Sequence, residues 1–223
     1  MKIIKVGASV TQSNDRDAEL LRLQLKAKGQ LMINLMSSPG SGKTTLLSRL
    51  IRDMKDVKIA VMEADIESAV DAERIEALGA KAIQVHTDGM CHMDAGMTAR
   101  SLQAMDDDES ELIFLENVGN LICPAEYDTG AGLNMMILSV PEGDDKPLKY
   151  PLMFEKSDAL VISKTDALMY FSFDVSRCCE RARKLNPQIR IFPVSVKTGE
   201  GMGELEAWVR EKLAGWKAGG KEV

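Results

Sequence analysis

The sequence predicts an α/β fold: a single domain with a mainly parallel sheet and helices on both faces. Three observations point there. Short, nearly continuous apolar runs recur along the chain, as expected of strands buried on both sides. Segments of helical periodicity separate them, so each strand can return parallel to the last through a crossover helix. Neither an internal repeat nor a Pro/Gly-rich linker divides the 223 residues, and 45% of them are hydrophobic, enough for one substantial core.

The elements follow in order. "NDRDAELLRLQLKAKG" (14–29) starts on polar, cap-like residues, carries Leu20, Leu21, Leu23 and Leu25, and stops at Gly29, the pattern of a helix. Residues 1–29 form an N-terminal segment and helix, 30–216 the main domain and 217–223 a tail. Strands are expected at 31–36, 57–63, 81–85, 111–116, 134–140, 158–163 and 190–195, with helices near 44–55, 69–79, 93–105, 174–185 and 203–215. "DDDES" (106–110) reads as a solvated acidic loop. The 14 methionines, against 4% aromatic residues, imply an aliphatic core in which Met fills gaps.

Bulk properties exclude several classes of function. The net charge is −6, and Lys and Arg are scattered, so there is no basic footprint for nucleic acid. No apolar run approaches a membrane span, and the opening residues lack the apolar region of a signal peptide. Four cysteines, unevenly spaced, do not make a secreted disulfide framework. A reduced, cytoplasmic, soluble protein is expected.

"SSPGSGKTT" (37–45) joins the first strand to a helix, the context in which a phosphate-binding P-loop has physical meaning. Pro39, Gly40, Ser41, Gly42, Lys43, Thr44 and Thr45 form this cradle. Its glycines let backbone N–H groups turn toward phosphate oxygens, aided by the positive end of the helix. Lys43 would meet the β- and γ-phosphates, and the Thr44 hydroxyl would ligate Mg²⁺. The usual first Gly of the motif is Ser37 here.

The base is read further on. "ISKTDAL" (162–168) resembles the N-K-x-D guanine motif, with Ser163 for Asn, and supplies Lys164 and Asp166. A carboxylate at Asp166 can accept paired bonds from guanine N1–H and N2–H₂, which adenine does not offer. "PVSVKTGEG" (193–201), with Ser195, Val196 and Lys197, resembles the loop that backs guanine. GTP and GDP are the expected nucleotides.

The fourth strand ends in Glu116-Asn117-Val118-Gly119. Its acid is placed to hold Mg²⁺, usually through water, and its glycine lets an N–H reach a γ-phosphate. Asp65, past the second strand, is a second acid for Mg²⁺ and the attacking water. Asn120 stands where a water-orienting Gln could follow, so slow intrinsic hydrolysis is expected. Cys91 and His92 follow the third strand and Cys123 the fourth. Parallel topology brings both loops to the carboxyl edge of the sheet, and two thiolates with an imidazole suit Ni²⁺ or Zn²⁺. Cys178 and Cys179 fall on diverging faces of a helix and are assigned to packing.

"SSPGSGKTTLL", "CHMDAGM", "ENVGNLICPAEYDTG" and "SVPEGDDKPLKYPLMF" together resemble the HypB family, over residues 14–215. The resemblance implies a P-loop GTPase fold of the SIMIBI class and a role as metallochaperone in nickel insertion into [NiFe]-hydrogenase. It also implies a GTP-linked homodimer and a metal site at Cys91, His92 and Cys123. Its partners would be the hydrogenase large-subunit precursor and a second, HypA-like nickel accessory protein. The chain has neither a His-rich tract nor an N-terminal cysteine motif, so delivery rather than storage of nickel is expected. The rival readings are a urease-type accessory GTPase, which carries Cys-Pro-His at its metal motif, and a GTP-regulated interaction switch with structural cysteines.

Overall fold

A computed structural model describes residues 7–65 and 70–219. Seven strands form one sheet in the order β3-β2-β4-β1-β5-β6-β7, every pairing parallel. They are β1 (Leu31–Ser37), β2 (Ile59–Asp65), β3 (Lys81–His86), β4 (Leu112–Glu116), β5 (Leu133–Ser139), β6 (Ala159–Ser163) and β7 (Arg190–Pro193). The helices are α1 (Gly7–Lys28), α2 (Lys43–Asp53), α3 (Val70–Glu76), α4 (Ala95–Met105), α5 (Cys123–Glu126), α6 (Lys146–Lys149), α7 (Pro151–Glu155), α8 (Val175–Leu185) and α9 (Met202–Gly219).

The continuous apolar runs are explained by cores on both faces. On β1, Leu31, Ile33 and Leu35 pack with Leu46, Leu50, Ile75, Leu205 and Trp208, from α2, α3 and α9. Met32 turns to the opposite face with Leu21, Leu25 and Met105, from α1 and α4. Met36 joins the rest of that face with Phe154, Cys178 and Ala182, from α7 and α8. Alternate residues of one strand thus enter different cores, and no position is left for a polar face. Many of the methionines, Met32, Met62, Met135 and Met136 among them, are fully buried. Burial pushes the Cys178 thiol up to about 12, consistent with a packing role.

Several boundaries differ from the sequence expectation for local reasons. The second strand is offset, because the Lys58 carbonyl accepts from the N–H groups of Glu111 and Leu112 and regular pairing starts at Ile59. The fifth strand stops at Ser139, where Val140–Glu142 turns into a 3-10 helix whose Glu142 carboxylate accepts from Ser139 N–H and Oγ–H. Residues 146–155 fold into α6 and α7, each with a proline in its first turn, where the missing N–H costs nothing. The first helix is longer than expected and buries Ala18, Leu21 and Leu25, while Leu20 and Leu23 face outward. Among the described residues, no helix is long and apolar enough to cross a membrane.

Candidate functional site

The loop between β1 and α2 forms the phosphate cradle. Gly40 and Gly42 adopt φ of 73° and 100°, left-handed values that expose backbone N–H groups and that a side chain would strain. Ser37 fills the position of the motif's first glycine. Its Oγ accepts from Ser41 Oγ at 2.6 Å and from Lys43 Nζ at 2.9 Å, and donates to the Ser38 carbonyl. The serine hydroxyl therefore occupies the ammonium of Lys43 inside the loop. The cleft above it, about 440 Å³, is lined by Pro39, Gly40, Gly42, Lys43, Thr44, Thr45, Lys164 and the acids Glu63 and Glu116.

Thr44 Oγ1 donates to Glu116 Oε1 at 3.0 Å, so a hydroxyl from the first turn of α2 and a carboxylate from the end of β4 share one point of the cleft. Such hard oxygen donors fit Mg²⁺. Glu63, which sequence reasoning passed over in favour of Asp65, is register partner of Glu116 across β2 and β4 and is 3% exposed. The signal was present in "VMEAD": Glu63 lies two residues before Asp65 and so shares its face of the strand. Asp65 ends β2, and its side chain lies outside the described residues. Arg74, on α3, also lines the cleft and was not singled out.

Residues 163–166 and 195–199 meet at the opposite end of the cradle. Ser163 Oγ donates to the Ser41 carbonyl at 2.8 Å, and Lys164 Nζ donates to the Gly40 carbonyl at 2.7 Å. Lys164 itself has φ of 61°, left-handed backbone that is costly for a side-chain-bearing residue. Asp166 is exposed, and its Oδ1 accepts from the buried Ser195 hydroxyl at 2.8 Å. Ser195 Oγ in turn accepts from Thr198 N–H, which fixes the serine. Val196 and Lys197 follow it in the same loop, and Arg49 of α2 donates to the Val196 carbonyl.

Beyond β4 the chain passes against the cradle. A Cβ on Gly119 would lie 2.9 Å from Pro39 Cγ and 3.0 Å from Pro39 N, so only glycine permits this approach. Asn120 does not face the nucleotide cleft. Its Oδ1 accepts from Ile122 N–H, and its Nδ2 lies 3.6 Å from Cys123 Sγ.

Cys91, His92 and Cys123 converge. Their ligand atoms all lie within 4.8 Å of one another, with 2.9 Å between the two sulfurs and 3.8 Å from Cys91 Sγ to His92 Nδ1. His92 is 5% exposed and stacks on Tyr127, ring centroids 3.9 Å apart. Sequence reasoning missed Tyr127, since nothing in one chain's pattern pairs residues 35 apart. Burial holds the His92 pKa below the usual imidazole range, against the pull of Asp94 and Glu126, and so favours the neutral ring that ligates metal. The contact with Cys91 raises the Cys123 thiol. Two soft sulfurs and one imidazole nitrogen fit Ni²⁺ or Zn²⁺, and the set leaves a fourth position for another ligand. Cys178 and Cys179 lie apart, on α8.

Both constellations sit at the carboxyl edge of a parallel sheet, and together with the fold they define a P-loop nucleotide-binding protein. Residues 31–193 match the family described as CobW/HypB/UreG, nucleotide-binding domain. The chain belongs to that family, and its relatives place it in the HypB branch. The hydrogenase maturation factor HypB of Azotobacter vinelandii is 44% identical over 95% of this chain and 70% of its own length. The hydrogenase/urease maturation factor HypB of Helicobacter hepaticus is 42% identical over 96% and 89%. A crystal structure of HypB from Helicobacter pylori, in complex with nickel, superposes with a TM-score of 0.86 at 41% identity, covering 91% of this chain and 95% of that one.

Proposed function

We propose that this chain is a GTP-hydrolysing metallochaperone that binds Ni²⁺, and Zn²⁺ at the same site, and assists nickel insertion into [NiFe]-hydrogenase. The observation that carries the reading is the convergence of Cys91, His92 and Cys123 within 4.8 Å on the sheet edge that also holds the phosphate cradle. The nickel complex of the Helicobacter pylori relative supports the choice of metal. Lys43 neutralises phosphate charge, Thr44 and Glu116 hold Mg²⁺ with Asp65 beside them, and a Gly119 N–H meets the γ-phosphate. Mg²⁺, when bound, stabilises the charge that develops on the phosphate oxygens. Pro39 through Thr45 cradle the phosphates, while Lys164, Asp166, Ser195, Val196 and Lys197 enclose guanine. With Asn120 turned toward Cys123, that amide does not orient the attacking water, so turnover is slow until a partner binds. The protein works in the cytoplasm as a GTP-linked homodimer, with the hydrogenase large-subunit precursor as client and a HypA-like protein as nickel donor or acceptor.

A second reading, service to urease, draws on the printed name of the Helicobacter hepaticus relative. Against a urease-type accessory GTPase stands the Cys91-His92 pair, which lacks the intervening proline. The deciding experiment titrates Ni²⁺ and Zn²⁺ into wild type and a Cys91, His92, Cys123 triple substitution, each with GDP and with a nonhydrolysable GTP analogue, alongside GTP turnover. Lys43→Ala or Thr44→Ala should abolish turnover, and wild-type turnover should fall well below the ~10 s⁻¹ of a typical enzyme. Equal metal binding by wild type and the triple variant would leave an interaction switch with structural cysteines.

A further inference from the structure

Three asparagines from adjacent strands form a line of amides through the middle of the sheet. Asn117, just past β4, donates its Nδ2 to Asn34 Oδ1 on β1 at 3.0 Å. Asn34 donates to Asn134 Oδ1 on β5 at 3.0 Å, and Asn134 donates to the Lys156 carbonyl at 3.1 Å. At the other end, Asn117 Oδ1 accepts two backbone N–H groups, Met93 at 3.1 Å and Val118 at 2.9 Å. The amide orientations follow from these ends, since two donors face the first oxygen and a carbonyl faces the last amine. Asn117 is 0% exposed and Asn34 is 1% exposed. Valine or isoleucine would fill such positions in a parallel sheet at no polar cost, so amides here call for a reason beyond packing.

The place of Asn117 supplies that reason. It follows Glu116, which shares the nucleotide cleft with Thr44, and precedes Gly119, which presses on Pro39. The Met93 N–H it holds belongs to the residue next to His92. One side-chain oxygen therefore joins the segment that faces a γ-phosphate to the loop that carries two of the three soft ligands.

We propose that Asn117 is the positioning residue that carries nucleotide state to the metal-ligand loop. This inference rests on the function proposed above. The amide line anchors the Asn117 side chain to the sheet. When γ-phosphate draws residues 118–119 toward the cradle, Val118 N–H changes its hold on the shared oxygen, and the bond to Met93 N–H tightens or loosens in response. Cys91 and His92 then shift relative to Cys123, which begins α5 just beyond the same segment. Coupling of this kind is reciprocal, so metal at the three ligands would bias the nucleotide by the same factor.

The test compares Ni²⁺ affinity in GDP and in a nonhydrolysable GTP analogue, reading the ratio of the two rather than either alone. Wild type should give a ratio in the roughly 5–150-fold range typical of coupled sites, and Asn117→Ala should bring it to within about twofold of unity. Asn117→Asp keeps an acceptor for Met93 N–H. It lets Asn34 and Asn134 turn over, which passes the mismatch to the exposed Lys156 end, so it should retain most of the wild-type ratio. Asn117→Ala with the wild-type ratio overturns the inference. A second measurement needs no variant: in metal-free wild type, hydrogen exchange at the Met93 amide should change about tenfold between GDP and the analogue. An unchanged Met93 amide overturns the link even if Asn117→Ala fails to fold. Loss of Ni²⁺ binding at Cys91, His92 and Cys123 in wild type would defeat the proposed function instead, and the Met93 amide would still judge the link.

Discussion

The Ser163 hydroxyl donates a 2.8 Å hydrogen bond to the Ser41 carbonyl, joining residues 122 apart in a buried contact. It ties the strand end that precedes Asp166 to the phosphate cradle, in the place where the guanine motif ordinarily has asparagine. With the Lys164 bond to the Gly40 carbonyl, this short hydroxyl sets the distance between the cradle and the loop proposed to read the base.

Removing that tie should weaken nucleotide binding more than it harms the fold. Ser163→Ala loses a hydrogen bond of about 1 kcal/mol, so GTP and GDP should each bind roughly fivefold more weakly. Calorimetric titration of both nucleotides checks this, and unchanged affinity would mean that the tie serves the sheet alone.

Asp166→Asn should move preference from guanosine toward xanthosine nucleotides. The substitution replaces an acceptor facing the guanine N2 amine with a donor suited to the extra carbonyl of xanthine, and bidentate charged bonds are strong enough to choose a base. The Ser195 hydroxyl that orients Asp166 can still donate to the amide oxygen, so geometry is preserved. Equal GTP binding by both proteins would remove Asp166 from base recognition.

The three candidate soft ligands of one chain would leave a tetrahedral or square-planar ion one ligand short, and the two-fold axis of the proposed homodimer would repeat each of them. Light scattering should show more dimer with GTP analogue and Ni²⁺ than with GDP and chelator. Cys123→Ser should lose most of that metal dependence. A Cys123→Ser protein that pairs and binds Ni²⁺ as wild type does would take Cys123 out of the site.

The ion pair between Glu111 and Lys217 ties the start of β4 to the end of α9. Its hydrogen bond to Lys217 holds the Glu111 carboxyl below the usual glutamate range. A depressed carboxylate contributes stability above its unfolded pKa of about 4.3 and loses it as pH falls through the folded value. With both side chains about a third exposed, the contribution at pH 7 should stay under about 1 kcal/mol. Denaturant unfolding of wild type and Glu111→Gln should show that gap at neutral pH, shrinking as pH drops below about 4. A gap that widens in acid would contradict the assignment.

How far the sequence reveals the molecule depends on the range of each interaction. The seven strands were legible because their apolar runs report local burial, and Lys43, Thr44 and Asp166 could be singled out as candidates because their motifs are contiguous. Glu63 was harder, since its partnership with Glu116 exists only across β2 and β4. The amide line of Asn117, Asn34 and Asn134 leaves no local trace, because each bond joins residues 83 or 100 apart. The short helices at 146–155 were missed for a different reason: four or five residues are too few for periodicity to register.

The parallel order of the sheet also dictates a sequence of events at the ribosome. The strand bearing the phosphate cradle, β1, is flanked by β4 and β5, and its partners Leu112 and Leu133 lie far downstream of Leu31 and Ile33. While the chain is being synthesised, β1 therefore emerges with both hydrogen-bonding edges open and must wait for its partner at Leu112, far downstream of Leu31, before either is covered. A nascent chain in this condition is aggregation-prone and a natural client for holding chaperones. Neither constellation can assemble until that wait is over, so in the newborn protein Cys91 and His92 have no Cys123 beside them until the central strands have paired.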